Sequence, residues 1–489
     1  MKKITLFIAV LLFTAFNYSA QAVESQTAAC TAGNLATVAA SYLTTVTNLT
    51  VTGTIDARDF KTMRDAMPLL AVIDLSASNI ETYDGTEGPS GNTSTVYPPN
   101  GIPELAFCDP SNYNGKTSLK SFIFPSSVTT IGDYAFFNCR YLTGSLTIPS
   151  LVTTIGTGAF RECWGLNGTL TISSSVTTIG ERAFSGCSGI SGSLTIPSSV
   201  KTIENCAFQT CIGFTGSLTI PSSVITIGED AFQYSSGSIT VDAANANYSS
   251  LDGMLFNKTK TTLIHCPISN TGSLTIPSSV TTIGGGAFYN CSDLTGSLLI
   301  PSSVAIIEKN AFLGCSGFAG SLTIPSSVTT IGDQAFWNCT SLTSIYAYAT
   351  TPIDISASVQ VFIGVNQTTC TLHVPVGLKA LYETKDQWKD FTNIVEDIPN
   401  SLEEISTNAI TIFPNPATTY ISISDLGSLV RDKKATLSIT DLSGSTLFFQ
   451  DVEPSISITT IDVSSLKRGI YFIAIQTSNG RVVKRFIKE

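Results

Sequence analysis

A proline recurs every 24 residues through the middle of this chain, at Pro125, Pro149, Pro197 and Pro221, with Ser173 taking its place once. After an insertion the same spacing resumes at Pro277, Pro301 and Pro325. The residues around it are nearly fixed: Ile148 to Gly156 reads IPSLVTTIG, and IPSSVTTIG returns in full around Pro277 and Pro325. Each unit continues through Ala-Phe, at Phe136, Phe160, Phe184, Phe208, Phe232, Phe288, Phe312 and Phe336, usually with a Cys three residues later. A unit this short cannot enclose its own core. It must bury its apolar face against its neighbours, which is the condition for a solenoid.

The interior of one unit predicts how that burial is arranged. In SLTIP, alternation sends Leu146 and Ile148 inward and Ser145 and Thr147 outward, a half-buried strand of period two. Pro149 ends the strand, because proline cannot donate to a ladder. Val152 and Ile155 point back inside, Gly156 permits a turn, and Ala159-Phe160 is expected to form a short helical or 3-10 corner. Too few side chains are buried by a lone coil to offset the entropy of ordering its backbone, so coils are stable only as a stack.

The register reaches beyond the obvious repeats. Val46, Leu49 and Val51 share their spacing with Leu70, Ile73 and Leu75, with Leu119, Phe122 and Phe124, and with Leu342, Ile345 and Ala347. Inner coils such as Leu142, Leu146 and Ile148 carry one extra residue, Gly144, which reads as a bulge before each strand. Between Pro221 and Pro277, Ile239 and Val241 keep the strand, and Met254 to Ile264 predicts a β-hairpin turning at Asn257 to Lys260. Residues 23–45 and 372–397 are expected to cap the stack, the latter through a helical stretch with Leu378, Leu381, Tyr382 and Trp388 on one face.

The two ends follow other rules. Lys2 and Lys3 precede an apolar run from Ile4 to Phe16, and Ala20-Gln21-Ala22 offers a small-x-small cleavage site, the order of a secretory signal peptide. That run is too short for a transmembrane anchor, which takes about 20 apolar residues. No transmembrane helix is therefore expected in the mature protein. From about Glu403 short alternating strands begin, YISISD at Tyr420, ATLSITDLSG at Ala435 and GIYFIAIQ at Gly469, with the turn spacing of an Ig-like β-sandwich. The chain ends RVVKRFIKE, setting Arg481, Lys484, Arg485 and Lys488 against the single acid Glu489.

These motifs resemble two known families. The unit L-x-I-P-x-x-V-x-x-I-G-x-x-A-F-x-x-C is similar to the BspA-type leucine-rich repeat of bacterial surface proteins over residues 46–397. The resemblance implies a leucine-rich-repeat arc with a parallel sheet on its concave face, in proteins of adhesion and cell contact. The tail resembles the C-terminal sorting domain of the type IX secretion system, on IFPNP (Pro414, Asn415, Pro416), on the Gly469-Ile-Tyr471 element and on the basic end with Lys484 and Lys488. That implies passage through the secretion machinery to the outer surface of a Gram-negative bacterium and attachment to surface lipopolysaccharide. The chain then reads as a signal peptide (1–22), an N-terminal cap with degenerate repeats (23–118), a repeat solenoid (119–345) with a hairpin insertion near 250–266, a C-terminal cap and linker (346–402), and the sorting domain (403–489). The expected fold is a mostly β solenoid plus a C-terminal β-sandwich.

Chemistry is sparse. The net charge of −10 has the wrong sign for a phosphate-binding surface, so nucleic acid is not an expected partner. The tail holds nine basic and nine acidic residues, so the whole excess of negative charge precedes it. Two histidines, His265 and His373, cannot build a multi-His metal centre, and no nucleophile, P-loop or dinucleotide motif is present. No enzyme activity, cofactor or metal is expected. Of the 12 cysteines, seven (Cys139, Cys163, Cys187, Cys211, Cys291, Cys315, Cys339) share one repeat position. Stacked equivalents direct their Cβ atoms in parallel, which suits buried thiols better than disulfides. Among Cys30, Cys108, Cys206, Cys266 and Cys370 the sequence leaves a bridge or two open.

The candidate binding face is the outward strand row Thr147, Thr171, Thr195, Thr219, Thr275 and Thr323, ending in Tyr346, where an aromatic first replaces threonine. Its expected partner is an extracellular protein or glycan. Two competing readings are a structural surface coat and an enzyme with an unrecognised site around His265, His373 or Asp252.

Overall fold

A computed structural model describes residues 24–91, 95–398, 412–424, 435–440, 446–452, 458–477 and 480–489. The expected signal peptide, with Ala20 and Ala22, lies outside them. The chain divides into two compact units, Met1–Asn270 with Gly284–Cys291, and Thr271–Ile283 with Ser292–Glu489.

In the first unit each coil contributes to two parallel ladders. One joins Ser25–Cys30, Asn48–Ile55, Val72–Ile80 and Ser121–Ile123 in sequence order. These strands are long where the coils lack the extra glycine. Beyond them the ladder breaks into short pairs, Leu146–Thr147 with Leu170–Thr171 and Leu218–Ile220 with Ile239–Val241. The more continuous ladder is formed by the Thr-Ile of VTTIG: Gly101–Ile102, Thr130–Ile131, Thr154–Ile155, Thr178–Ile179, Thr202–Ile203 and Thr226–Ile227.

The extra glycine is not the uniform bulge expected. Gly144 and Gly192 take left-handed φ of 85° and 90° in open space. Gly168 and Gly216 do not, and a Cβ there would lie 2.3 and 2.2 Å from the hydroxyls of Ser145 and Ser193 one coil back. Successive coils thus use the same glycine alternately for its conformation and for its small size.

The Ala-Phe corner is a turn ladder where a helical or 3-10 corner was expected. Tyr134, Phe136 and Asn138 donate their amides to the carbonyls of Thr157, Ala159 and Arg161 in the next coil, at 2.8, 2.8 and 2.7 Å. A helix would spend those amides within its own turn. Left-handed residues, Tyr134 (φ 54°), Asn138 (59°), Glu162 (62°) and Arg182 (54°), rotate the peptide planes so that alternate N–H groups all point forward. Inside the corner the phenylalanines stack nearly parallel, Phe136 to Phe160, Phe184 and Phe208, with centroids 5.1, 5.5 and 5.3 Å apart. All twelve cysteines are buried free thiols. In the repeat they bridge coils: Cys163, Cys187 and Cys211 donate to the carbonyls of Phe136, Phe160 and Phe184, each at 3.1 Å.

The start of the stack holds a helix that the repeat pattern does not anticipate, Ala57–Asp65, with Asp56 and Asp59 forming a capping box. Asp59 also accepts from the amides of Gly33 and Leu35 at 2.7 and 2.9 Å, tying the first turn of chain to the stack. The insertion is a three-stranded antiparallel meander, Tyr248–Leu251, Met254–Asn257 and Thr262–His265. Its first turn is Asp252-Gly253, with φ of 50° and 77°, the Asp-Gly chemistry of a tight hairpin.

In the second unit the parallel ladder runs Leu298–Leu299, Ser321–Ile324, Ser344–Ala347, Thr371–Pro375 and Asn393–Ile398, lengthening as the extra glycine disappears. Phe336 stacks on Phe362, which closes against Trp388 and Phe391. The expected helical cap shrinks to Lys379–Tyr382. Tyr382 and Trp388 are buried, while Leu381 is turned out to solvent, because one helical turn cannot keep all four side chains on one face.

The tail contains two antiparallel sheets. Ile412–Phe413, Tyr420–Ser424 and Ile458–Asp462 form one; Thr446–Val452, Ala435–Thr440, Gly469–Thr477 and Gly480–Lys488 form the other. Both supply one buried cluster that includes Ile421, Ile423, Ile461, Leu437, Ile439, Ile473 and Phe486. Among the described residues no helix is long and apolar enough to cross a membrane.

Candidate binding face

The outward positions of the strand ladder fall into aligned rows. In the first unit Thr147 faces Thr171, and Thr195, Thr219 and Thr240 follow one another, all exposed. Ser145 and Thr169 form the neighbouring row, with the Thr169 amide donating to Ser145 Oγ at 3.1 Å. These rows are hydroxyl throughout and offer no anchor. In the second unit Thr275 is exposed outside any strand.

The row that ends the second unit is different. Leu299, 63 % exposed, pairs with Thr323, Thr323 with Tyr346, Tyr346 with His373 and His373 with Val395. Alternation brings the two rings together, and they stack at 4.1 Å with planes 7° apart. Tyr348, 43 % exposed, follows directly after the end of the strand. His373 is therefore outward, as its place in LHVP implies, but it is held in place from the neighbouring strand. Asp397 Oδ2 lies 2.7 Å from its Nδ1.

A register shift makes that contact. Val374 pairs with Glu396 and Pro375 with Ile398, so Asp397 is the extra residue of a bulge. A bulge re-aims side chains out of strict alternation. It leaves both Glu396 and Asp397 exposed: Glu396 accepts the Lys379 amide at 2.6 Å, and Asp397 takes His373. Sequence reasoning picked out Tyr346 and missed Asp397. The available signal was two consecutive acids breaking the alternation of NIVEDI.

The other candidates separate from this row. His265 is buried in the meander of the first unit, with Nε2 bonded to Ser235 Oγ at 3.2 Å, and burial pushes its imidazole down to about 4. Asp252 sits in an exposed turn. Burial pushes the thiols of Cys139, Cys187 and Cys339 up to about 12, so they are poor nucleophiles and poor metal ligands. Among the described residues no three His, Cys, Asp or Glu side chains converge to hold a metal ion.

In the tail the early and late motifs meet. The side chain of Asn415 accepts the Ile487 amide at 2.9 Å and donates to the Arg485 carbonyl at 3.4 Å, acting as an extra strand between Pro414 and Pro416. The Ala417 amide donates to Ile487 O at 2.8 Å and the Glu489 amide to Ala417 O at 2.9 Å. Tyr471 stacks on Phe486 at 5.6 Å and donates to Lys467 O at 2.8 Å. Gly469 pairs with Lys488 and Ile473 with Lys484. Directly opposed residues share a sheet face, so both lysines lie on the inner side, and Lys488 is only 8 % exposed.

Residues 109–237, 191–273 and 268–364 match the BspA type leucine rich repeat region, in six copies, and residues 411–489 match the secretion system C-terminal sorting domain. No curated protein matches the chain. Among solved structures, a leucine-rich repeat protein from Bacteroides ovatus is 20% identical, covering 72% of this chain and 84% of that one, with a TM-score of 0.41. The pneumococcal vaccine antigen PcpA is 19% identical over 63% and 86%, with a TM-score of 0.39. A leucine-rich repeat protein from Eubacterium ventriosum is 24% identical over 51% of this chain and 66% of that one, a little under two thirds of its length, with a TM-score of 0.36.

Proposed function

This chain belongs to the BspA-type leucine-rich repeat family, and we propose that it is a non-catalytic surface protein that binds an extracellular protein or glycan. The sorting tail points to export by the type IX secretion machinery and to a cell-surface location. The finer reading extends this: a Gram-negative outer surface, a lipopolysaccharide attachment, and a tail whose two sheets pack as an Ig-like sandwich.

The observation that carries the binding reading is the row Leu299, Thr323, Tyr346, His373 and Val395. In the second unit this row sets two stacked rings and a buttressing carboxylate beside Leu299 and Thr323. Aromatic groups on a rigid sheet are the usual source of binding energy on such surfaces. The mature chain, screened against extracellular matrix proteins and glycans, is expected to give saturable binding; a screen without a saturable hit refutes the reading. For the export reading, a chain lacking residues 403–489 is expected to accumulate in the periplasm, and its presence on the cell surface refutes the assignment.

A uniform hydroxyl face also suits a structural coat. The row in the first unit, Thr195, Thr219 and Thr240 without an aromatic, favours that second reading for that unit. It predicts concentration-dependent self-association of the purified chain.

A further inference from the structure

The parallel ladder that opens the first unit begins at Ser25–Cys30, and among the described residues that strand has a neighbour on one side only, Asn48–Ile55. Glu24 O accepts the amides of Thr47 and Asn48, both at 3.0 Å, so Glu24 turns its backbone toward the ladder. In a parallel pair the N–H and C=O groups of alternate residues point to opposite sides of the strand. Gln26, Ala28 and Cys30 therefore follow Glu24, while Ser25, Thr27 and Ala29 turn theirs to the open side, and the side chains of these three are exposed. Open edges invite pairing with another chain, and sheets ordinarily guard them with charge, proline or a bulge. The ladder that closes the second unit is guarded in this way. Its last strand, Asn393–Ile398, carries the bulge at Asp397 and exposes both Glu396 and Asp397. Ser25–Cys30 has no such guard. It reads SQTAAC, without charge or proline, and its six residues pair with the next strand without a register shift.

We infer that Ser25–Cys30 is a dimerisation edge, which pairs antiparallel with the same strand of a second copy about a two-fold axis at Thr27. The strand is complementary to itself. With Thr27 opposite Thr27 of the second copy, Ser25 falls opposite Ala29 of that copy, and Ala29 opposite its Ser25. Every outward-facing backbone group then belongs to a pair that exchanges both of its hydrogen bonds. The side chains brought together are small, and a Thr–Thr pair across antiparallel strands is favourable. Charge permits the approach as well. The chain carries a net −10, yet in this register Glu24 lies opposite Cys30 of the second copy, so no like charges oppose each other across the new ladder. A head-to-tail contact would instead have to pair Ser25–Cys30 with Asn393–Ile398, whose bulge and two acids guard it. The contact is therefore isologous and closes at two copies, where a heterologous one would run on into a filament. It stands independently of the ligand and of the sorting tail.

The test uses residues 23–489, the form that the expected cleavage after Ala22 leaves, with no tag at the N-terminus. Sedimentation from about 1 μM to about 1 mM is expected to show a reversible monomer–dimer equilibrium, with a dissociation constant of about 10–100 μM for so small an interface. Thr27→Pro removes only an outward amide, as a proline on an edge strand can, and is expected to weaken the dimer about tenfold or more. Thr27→Lys sets two cations opposite each other across the axis and is expected to do the same. It leaves every hydrogen bond of the ladder in place, so it decides the matter if the proline disturbs the strand. Melting of both variants, read at the lowest concentration, is expected to match the parent. Thr171→Lys, an exposed position in the hydroxyl row, is expected to dimerise as the parent does. A parent chain that stays monomeric at the highest concentration overturns the inference, as does a dimer that Thr27→Lys leaves intact. Growth beyond the dimer overturns it too, and turns the self-association over to the coat reading.

Discussion

Asp397 reaches His373 at 2.7 Å because it is the unpaired residue of a bulge between Val374–Glu396 and Pro375–Ile398. Without that insertion, alternation would leave the carboxylate a full strand position away, and the imidazole would be fixed only by its stack on Tyr346. The pair is half open to water, with Asp397 46 % exposed at its side chain, so its contribution to stability is small. Its consequence is orientation, which matters for binding more than for folding.

Returning this row to the threonine of the repeat therefore separates the two. Tyr346→Thr is expected to weaken ligand capture by about tenfold or more, the usual cost of removing an aromatic anchor. Asp397→Ala is expected to weaken capture less, while its unfolding free energy changes by less than about 1 kcal/mol. Thr147→Ser, in the plain hydroxyl row, should change neither. Titration of the captured ligand against each variant, with urea unfolding in parallel, decides it; equal affinity for Tyr346→Thr and the parent chain removes the row from the binding site.

The cysteines carry a second prediction. With thiols pushed up to about 12 by burial, Cys139, Cys187 and Cys339 hold almost no thiolate at pH 8. Native protein is expected to resist alkylation at these positions at that pH. Unfolded in denaturant without reductant, it should release twelve titratable thiols. Fewer than twelve would show that some of these cysteines pair.

The sequence made the stack legible because its period is a physical requirement: every coil must repeat its buried positions, so phenylalanine, cysteine and the Leu-Thr-Ile strand announce themselves. What alternation could not reveal were features that depend on a departure from it. The left-handed Tyr134 and Arg182 of the corner are ordinary residues forced by the next coil's carbonyls, and nothing in their chemistry advertises a positive φ. The bulge at Asp397 is set by pairing with a strand some 20 residues earlier. The two faces of the terminal strand became distinguishable only once Lys484 was seen opposite Ile473. The helix Ala57–Asp65 was missed as well, since its capping box is written in two aspartates, Asp56 and Asp59, where the usual signature is Ser or Thr followed by Glu or Gln.

His265 gives a pH signature. Its folded value, about 4, lies below the ordinary 6.5 because burial disfavours the cation. Between those limits the unfolded chain takes up a proton that the folded chain refuses, so acidification costs stability, by up to about 3 kcal/mol, and the loss is complete near pH 4. Above pH 6.5 the group has no effect. His265→Leu should flatten this part of the curve, although it also strands the Ser235 hydroxyl, a cost that does not vary with pH. The measurement is the difference between the two stability curves from pH 7 to pH 4, because the carboxylates titrate in both. Parallel curves would show that the imidazole charges freely in the folded protein.

The two glycine roles can be told apart by substitution. Gly192 has φ of 90° with open space where a Cβ would lie, so Gly192→Ala incurs only backbone strain, about 1–2 kcal/mol. Gly192→Asn should cost less, because asparagine tolerates the left-handed region. At Gly213 the backbone is ordinary, but a Cβ would sit 2.1 Å from the carbonyl oxygen of Ile190 in the preceding coil. That oxygen belongs to the stack and cannot rotate away, so Gly213→Ala must separate two coils and should cost more than either change at Gly192. Urea midpoints at constant slope give the ranking. If Gly192→Ala proves the worst of the three, the stack is more tolerant of displacement between coils than of strain within one, and the tight approach at Gly213 is not what fixes the spacing of the coils.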